Sequence, residues 1–218
     1  MWAAADAQRI PTREEMQKAL EARHGVELQR RFSAASVAVC GLGGLGSNIA
    51  ISLARAGVGH LHLMDFDRVD ITNLHRQQYA VGQLGLYKTK AMKETLSAIA
   101  PYVEVTTDTV RMTEAHLELL RDDDIVVEAF DNPEAKAMLV NGVLERYPEK
   151  YMVAASGMAG MDSGNCIVTR RVTGRFYLCG DGESDVAAGR GLVAPRVMLC
   201  AAHEALTVLR ILAREYDA

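Results

Sequence analysis

Apolar residues in this chain gather into short unbroken runs separated by amphipathic stretches. Ser36-Val-Ala-Val-Cys40 is small and β-branched, as expected of a central parallel strand covered on both faces. It ends in Gly41, and strands and helices then alternate. The pattern predicts a helix over 44–57, a strand over 59–65 and an irregular polar segment to 82. A helix over 88–100, stopped by Pro101, precedes a strand over 102–108, a helix over 113–121 and a strand over 124–129. Pro133 opens the next helix, which runs to 147. The last third differs, with strands at 151–155, 165–169 and 175–178, a loose glycine-rich loop to 193 and a terminal helix over 195–214. Before all of this, residues 12–31 read as one polar helix with Thr12 and Glu15 in capping-box spacing. The expected fold is α/β: a Rossmann-like, doubly wound, mainly parallel sheet with antiparallel strands added at one edge and an N-terminal helical arm. The arm is placed at 1–33 and the main domain at 34–218.

Composition narrows the function classes. The chain has 218 residues, 49% of them hydrophobic and 24% charged, which is the balance of a globular domain. A net charge of -4 argues against a nucleic-acid protein, because gripping a phosphate backbone takes a clustered basic surface. Cys40, Cys166, Cys179 and Cys200 stand singly, so neither a disulfide framework nor a four-cysteine zinc site is indicated. The start, Met1 to Asp6, lacks the charged region and long apolar run of a signal peptide, and no stretch approaches the ~20 apolar residues of a membrane span. A cytoplasmic protein is expected.

The chemistry begins at Gly41-Leu-Gly43-Gly44-Leu-Gly46, which follows a strand and opens a helix. In that context the glycines permit a tight turn, close backbone approach to phosphate and helix packing, and the helix N-terminus offers free N–H groups to an anion. Asp65 closes the next strand 19 residues after Gly46, where a carboxylate meets a ribose hydroxyl. Alone this pattern says adenine nucleotide, with a dehydrogenase as the default. The segment that follows changes the reading, since Asn73, Arg76, Gln77 and Lys88 bring polar and cationic groups that hydride transfer does not need. Fixed cations suit a triphosphate attacked at a phosphorus atom.

Together with Asp65-Phe-Asp67, Asn73-Leu-His-Arg76-Gln77, Gly85-x-x-Lys88 and Asp131-Asn132, the glycine loop resembles the ThiF/MoeB/HesA family, relatives of the ubiquitin-activating enzymes. The likeness runs from about residue 30 to the end. It is closest to short, zinc-less ThiF proteins through Val127-Glu-Ala-Phe-Asp131, Val153-Ala-Ala-Ser-Gly157 and Leu192-Val-Ala-Pro-Arg196. The resemblance implies ATP-dependent adenylylation of the C-terminal glycine of a ThiS-like sulfur carrier ending in Gly-Gly, in thiamine-thiazole synthesis, by a homodimer. It implies that Gly41, Gly43, Gly44 and Gly46 form the phosphate loop, that Asp65 holds the ribose, and that Asn73, Arg76, Gln77 and Lys88 hold the phosphates. Asp131 would position Mg2+, and Arg76, Lys88 and Asp131 would be the catalytic set. Two departures stand out: the paired cysteines that bind zinc in many relatives are missing, and Arg30 and Arg31 lack the N-terminal Arg-Gln motif.

Several readings stay open at this point. Asp67 is either a second ribose or metal contact or a turn cap, and Lys90 competes with Lys88 for the phosphate position. Cys179 as a covalent nucleophile is weighed against a packing cysteine, which is preferred. His75 and His203 read as packing residues. Other acceptors (another carrier, or a tRNA carboxylate), an NAD-dependent oxidoreductase and a non-catalytic scaffold complete the alternatives.

Overall fold

The computed structural model describes residues 9–185 and 189–218. The Ala-rich start and positions 186–188 of the glycine-rich loop lie outside the described residues. The strands are β1 (Ser36–Cys40), β2 (His60–Met64), β3 (Glu104–Asp108), β4 (Ile125–Glu128), β5 (Tyr151–Ala155), β6 (Val168–Arg171) and β7 (Phe176–Gly180). They form one sheet in the order β3-β2-β1-β4-β5-β7-β6. Every neighbouring pair is parallel except β6 with β7. The antiparallel addition is therefore β6 alone. The β6–β7 hairpin folds back so that β7 lands beside β5 and extends the parallel sheet.

The helices are α1 (Arg13–His24), α2 (Val26–Ala34), α3 (Gly44–Ala56), α4 (Lys88–Ile99), α5 (Pro133–Arg146) and α6 (Ala194–Ala213). Ile49, Leu53, Met92, Leu96, Val197 and Val208 cover one sheet face from α3, α4 and α6, while Leu139 and Val143 of α5 cover the other with Leu117 and Leu120. Those last two sit on a 3-10 turn at Glu114–Leu120 where the sequence pattern predicts an α-helix. The polar helix expected over 12–31 is two helices, because Gly25 takes φ +86 and ends α1. No residue of α1 is fully buried, whereas α2 is tied to the body: Gln29 donates to the Gly57 carbonyl (3.2 Å) and Gly59 N–H donates to the Phe32 carbonyl (3.0 Å). Among the described residues no helix is long and apolar enough to cross a membrane.

The strand order reverses at β1, whose neighbours β2 and β4 lead to opposite halves of the sheet. In open α/β sheets ligands bind in the crevice beyond the carboxyl ends of the strands at such a point. The glycine loop follows β1 directly, so the topology places it at the mouth of that crevice.

The opposite face of the sheet carries a buried polar cluster. His62 lies between two carboxylates, with Nδ1 2.9 Å from Asp123 and Nε2 2.7 Å from Asp108. Ser36 donates to Asp123 (2.8 Å) and joins β1 to the cluster. Burial opposes protonation of His62, but the two carboxylates outweigh it and its pKa is raised. A raised histidine pKa stabilises the fold below the unfolded value of about 6.5 and loses that contribution as pH climbs through the folded value. The melting-temperature gap between wild type and His62→Gln is expected to be wide at pH 6 and narrow at pH 9. A gap that is equal or widens with pH contradicts a charged His62 bridge.

Candidate active site

The four glycines of the loop do different work. Gly41 has φ +97, and a Cβ there would lie 2.7 Å from the Ala129 carbonyl oxygen, so glycine lets β1 exit against the end of β4. A Cβ on Gly46 would lie 1.8 Å from the Gly41 carbonyl oxygen, so α3 starts directly on the turn that precedes it. Gly44 makes room for Val197 of α6 and the Arg76 stem. Gly43 alone is open, with only the Gln77 amide nitrogen 3.8 Å from where a Cβ would stand. The backbone approachable by an anion is thus at Gly43, where α3 begins.

Asp65 anchors this loop from β2. Its carboxylate accepts from the N–H groups of Leu42 (2.6 Å) and Asp67 (2.7 Å). Lys88, buried at the first turn of α4, bonds Asp67 at 2.9 Å and stands 3.9 Å from Asp65. Burial raises the Asp65 pKa against the pull of Lys88. Tyr79 completes the pocket floor by donating its hydroxyl to the Leu42 carbonyl (2.8 Å). Asp67, Asn73, Arg68 and Tyr87 border an adjoining cavity of about 900 Å³.

The polar segment 71–78 is clamped onto α3. Ser47 accepts from the Gln78 N–H (3.1 Å), and Asn48 accepts from the Gln78 amide (2.8 Å) while donating to the Gly44 carbonyl (2.6 Å). The Asn73 carbonyl accepts from Arg76 and Gln77 N–H, both at 3.2 Å. Gln77 is buried, and its Oε1 has no hydrogen-bond partner among the described residues. Arg76 points across the crevice: burial lowers its pKa and the charge of Asp131 raises it again. An arginine remains cationic through such a shift.

Asp131 itself is carried by the turn after β4, which rests on a buried ion pair. Lys136 of α5 bonds both oxygens of Glu128 at 2.9 Å, and Glu128 Oε1 accepts from the Phe130 N–H at 2.6 Å. Glu204 of α6 is fully buried and unbonded, and burial together with Glu128 raises its pKa well above the ordinary carboxylate value. Lys136 therefore has one ionised partner, Glu128, and Glu204 is held neutral.

The loops beyond β5 and β7 are joined by Arg196 at the start of α6. It donates to the carbonyls of Asp162 (2.5 Å) and Ser163 (2.9 Å) and to the Asp181 carboxylate (2.5 Å). Although burial opposes ionisation of Asp181, the N–H groups of Ser184 and Glu183 and the guanidinium hold its pKa well below the usual range. Cys179 is buried and its pKa is pushed up to about 12 by burial and Glu204, as befits a packing thiol and not an activated nucleophile.

With this geometry in view, the likeness to known proteins has a structural address. Residues 16–217 match the profile of the ThiF family. The chain belongs to the ThiF family. A sulfur carrier protein adenylyltransferase of Thermus thermophilus is 44% identical over 110 residues, covering 50% of this chain and 41% of that protein. An adenylyltransferase and sulfurtransferase MOCS3 of Culex quinquefasciatus is 36% identical over 158 residues, covering 71% of this chain and 35% of that protein. The matched part is thus well under half the length of these relatives. Among solved structures, the E. coli tRNA N6-threonylcarbamoyladenosine dehydratase TcdA in complex with ATP superposes with a TM-score of 0.83 at 22% identity, covering 95% of this chain and 98% of that one. E. coli MccB with ATP superposes at 0.71 and 21% identity, covering 93% and 64%. At these identities the likeness is one of fold.

The sequence-derived residues Gly41, Gly43, Gly44, Gly46, Asp65, Asp67, Arg76, Gln77, Lys88 and Asp131 gather at the carboxyl ends of β1, β2 and β4. Asn73 joins them through its carbonyl. Lys90 is exposed on α4. Sequence reasoning passed over Ser47, Asn48, Glu128, Lys136, Arg196 and Asp181. Glu128 carried a signal, being the one charge in an apolar strand, and Arg196 stood at the end of a quoted motif without a role. Removing the cation from a buried pair leaves an uncompensated charge, costing about 3–5 kcal/mol. Lys136→Met is expected to destabilise the chain by roughly 3 kcal/mol in urea unfolding, and loss of less than about 0.5 kcal/mol would show that the pair does not support the turn.

Proposed function

We propose that this protein is a nucleotidyltransferase that adenylylates the C-terminal glycine carboxylate of a ThiS-like, ubiquitin-fold sulfur carrier, in thiamine-thiazole synthesis. The observation that carries the reading is the pairing of an open helix N-terminus at Gly43 with Arg76 and Asp131 facing each other across the β1–β4 crevice. ATP is the substrate: its phosphates meet the Gly43 backbone, Arg76 and the Asn73–Gln77 turn, and its ribose meets Asp65. Lys88, already bonded to Asp67, serves by holding the two carboxylates in place and lending positive charge to the phosphates. Asp131 is an exposed carboxylate beside the phosphate position, which fits Mg2+, a cation that takes one or two carboxylates together with substrate phosphates. When bound, Mg2+ supplies charge neutralisation at the phosphoryl oxygens.

In the reaction a carboxylate oxygen of the carrier attacks the α-phosphorus, forming the acyl–phosphate bond as the bond to the bridging oxygen breaks, and pyrophosphate leaves with that electron pair. No proton has to be removed from the attacking carboxylate, so positioning and charge stabilisation account for the catalysis and no general base is required. Arg76 approaches with a planar fork suited to two phosphoryl oxygens. We further assign the protein to the cytoplasm and to a homodimer on the same reading.

A second acceptor is favoured by one observation: TcdA, whose name gives a tRNA nucleoside as its substrate, matches nearly the whole chain end to end. A tRNA carboxylate is the alternative on the same adenylation chemistry.

Labelled pyrophosphate is expected to exchange into ATP only when Mg2+ and a Gly-Gly-terminated carrier are both present. Arg76→Ala and Asp131→Ala should each lower exchange at least a thousandfold with the fold intact, and near-normal exchange in both would reject the assignment. Exchange supported by tRNA and not by carrier would select the second acceptor. The glycines give an independent check. Gly43→Ala should weaken ATP binding at least tenfold in calorimetry while leaving stability within about 0.5 kcal/mol, whereas Gly46→Ala should destabilise by roughly 3 kcal/mol or more. Equal behaviour of the two variants would contradict the placement of the anion at Gly43.

A further inference from the structure

The sheet ends at β6, which has β7 on one side and no strand on the other. The register pairs Val168 with Gly180 and Arg170 with Leu178, and the hairpin bond from Val172 N–H to the Phe176 carbonyl (2.8 Å) fixes which pairs exchange hydrogen bonds. Bonded and non-bonded pairs alternate along an antiparallel ladder, so residues 168, 170 and 172 bond inward to β7. The N–H and C=O groups of Thr169 and Arg171 consequently point outward, away from the sheet. Such an edge is a template for another strand.

Three further features describe what would fit it. First, Arg170, Arg171 and Arg175 lie on this hairpin, are exposed, and make no ion pair among the described residues, in a chain whose net charge is -4. Arg171 and Arg175 are held out by backbone carbonyls, of Gly174 (2.6 Å) and Glu149 (2.5 Å), and are thus fixed positive groups without a carboxylate. Second, the edge is flanked by exposed apolar residues, with Val168 40%, Val172 52% and Leu206 57% accessible. Third, a groove of about 490 Å³ runs between β6, α6 and the C-terminal residues, lined by Val168, His203, Leu206 and Thr207 among others. An added strand gains affinity from main-chain bonds and selectivity from side chains that enter such a groove. A nucleic acid has no use for outward backbone groups in strand register or for a valine-lined edge. Arginines beside apolar side chains and a free edge match an acidic protein strand.

We infer that β6 is the docking edge for a β-strand of the small acidic carrier, a step that rests on the carrier reading of the site. The polarity follows from the sheet. Val168, the first residue of β6, lies at the carboxyl end of β7 and so at the same end as Gly43 and Asp131. A strand running antiparallel to β6 leads its C-terminus toward that end, over the loops that Arg196 binds together. Recognition of the carrier body at β6 and reaction of its tail in the crevice are then separate events on one continuous path.

The chain provides its own probe, because Cys166, two residues before β6, is exposed while Cys40, Cys179 and Cys200 are buried. A photo-crosslinker and, separately, a fluorophore are placed on Cys166 of the full chain, and a recombinant ThiS-type carrier ending in Gly-Gly is the ligand. Wild type is expected to crosslink to the carrier. Arg171→Pro, which removes an outward N–H and leaves the inward bonds of β6, and Arg170→Glu, which reverses one edge charge, should each weaken the carrier Kd at least tenfold. Melting curves check the fold, and Arg170→Glu decides if the proline variant does not fold. Carrier binding within twofold of wild type in the folded variants overturns the inference, as does a wild type that exchanges pyrophosphate with carrier yet forms no crosslink. A tRNA transcript is titrated in parallel, and tRNA binding lost in Arg170→Glu would assign the edge to nucleic acid instead. Failure of the function reading is separate and visible, as an unmodified wild type that exchanges no pyrophosphate with carrier at all.

Discussion

The carboxylate of Asp65 is the contact on which the site depends. It is almost wholly removed from water, yet it ties the N–H of Leu42 on the exit of β1 to that of Asp67 on the exit of β2, with the Lys88 ammonium nearby. A buried carboxylate with two backbone donors and a cation in reach is stable only while all of them stay in place, so their positions are fixed together. The glycine turn, the polar segment and the start of α4 are locked by this one group. Without it the open N–H groups at Gly43 would have no fixed aim.

The same principle recurs in the other half of the sheet. Glu128 and Lys136 hold the turn that presents Asp131, and Arg196 with Asp181 holds the loops beyond β5 and β7. Each pair is buried and each grips backbone as well as charge. The crevice is therefore walled by three ionic struts whose charges are consumed internally, which leaves Arg76 as the cation that faces Asp131 across the gap. That arrangement suits a reaction whose whole difficulty is bringing two anions together, a carboxylate and a phosphoryl group.

How much of this the sequence carries depends on the range of the interaction. The glycine loop, β1, α3, α4 and α5 are set by neighbours within a few residues, through turn geometry, apolar runs and proline placement, and their boundaries agree closely with expectation. Gly25, whose positive φ splits the expected first helix, was visible as a residue but not as a break, because only the docking of Gln29 and Phe32 on the body makes two helices preferable to one. The position of β7 beside β5 is a long-range outcome that no local pattern specifies. Likewise Lys88 reads as a free phosphate ligand until Asp67 is seen 2.9 Å away. Arg196 and Asp181, fifteen residues apart with a loop between them, leave no periodic trace. Residue type and order were thus legible at the glycine turn, whereas the struts that hold it had to be seen in three dimensions.

The central claim is that the acceptor carboxylate attacks the α-phosphorus of ATP in this crevice, and the most direct test follows an oxygen atom. A Gly-Gly-terminated carrier carrying 18O in its C-terminal carboxylate is incubated with the protein, ATP and Mg2+, the adenylate is discharged with sulfide, and the AMP released is analysed by mass spectrometry. One 18O in each AMP, together with pyrophosphate, is the result the account predicts. AMP free of label, or ADP and phosphate in place of AMP and pyrophosphate, would contradict it.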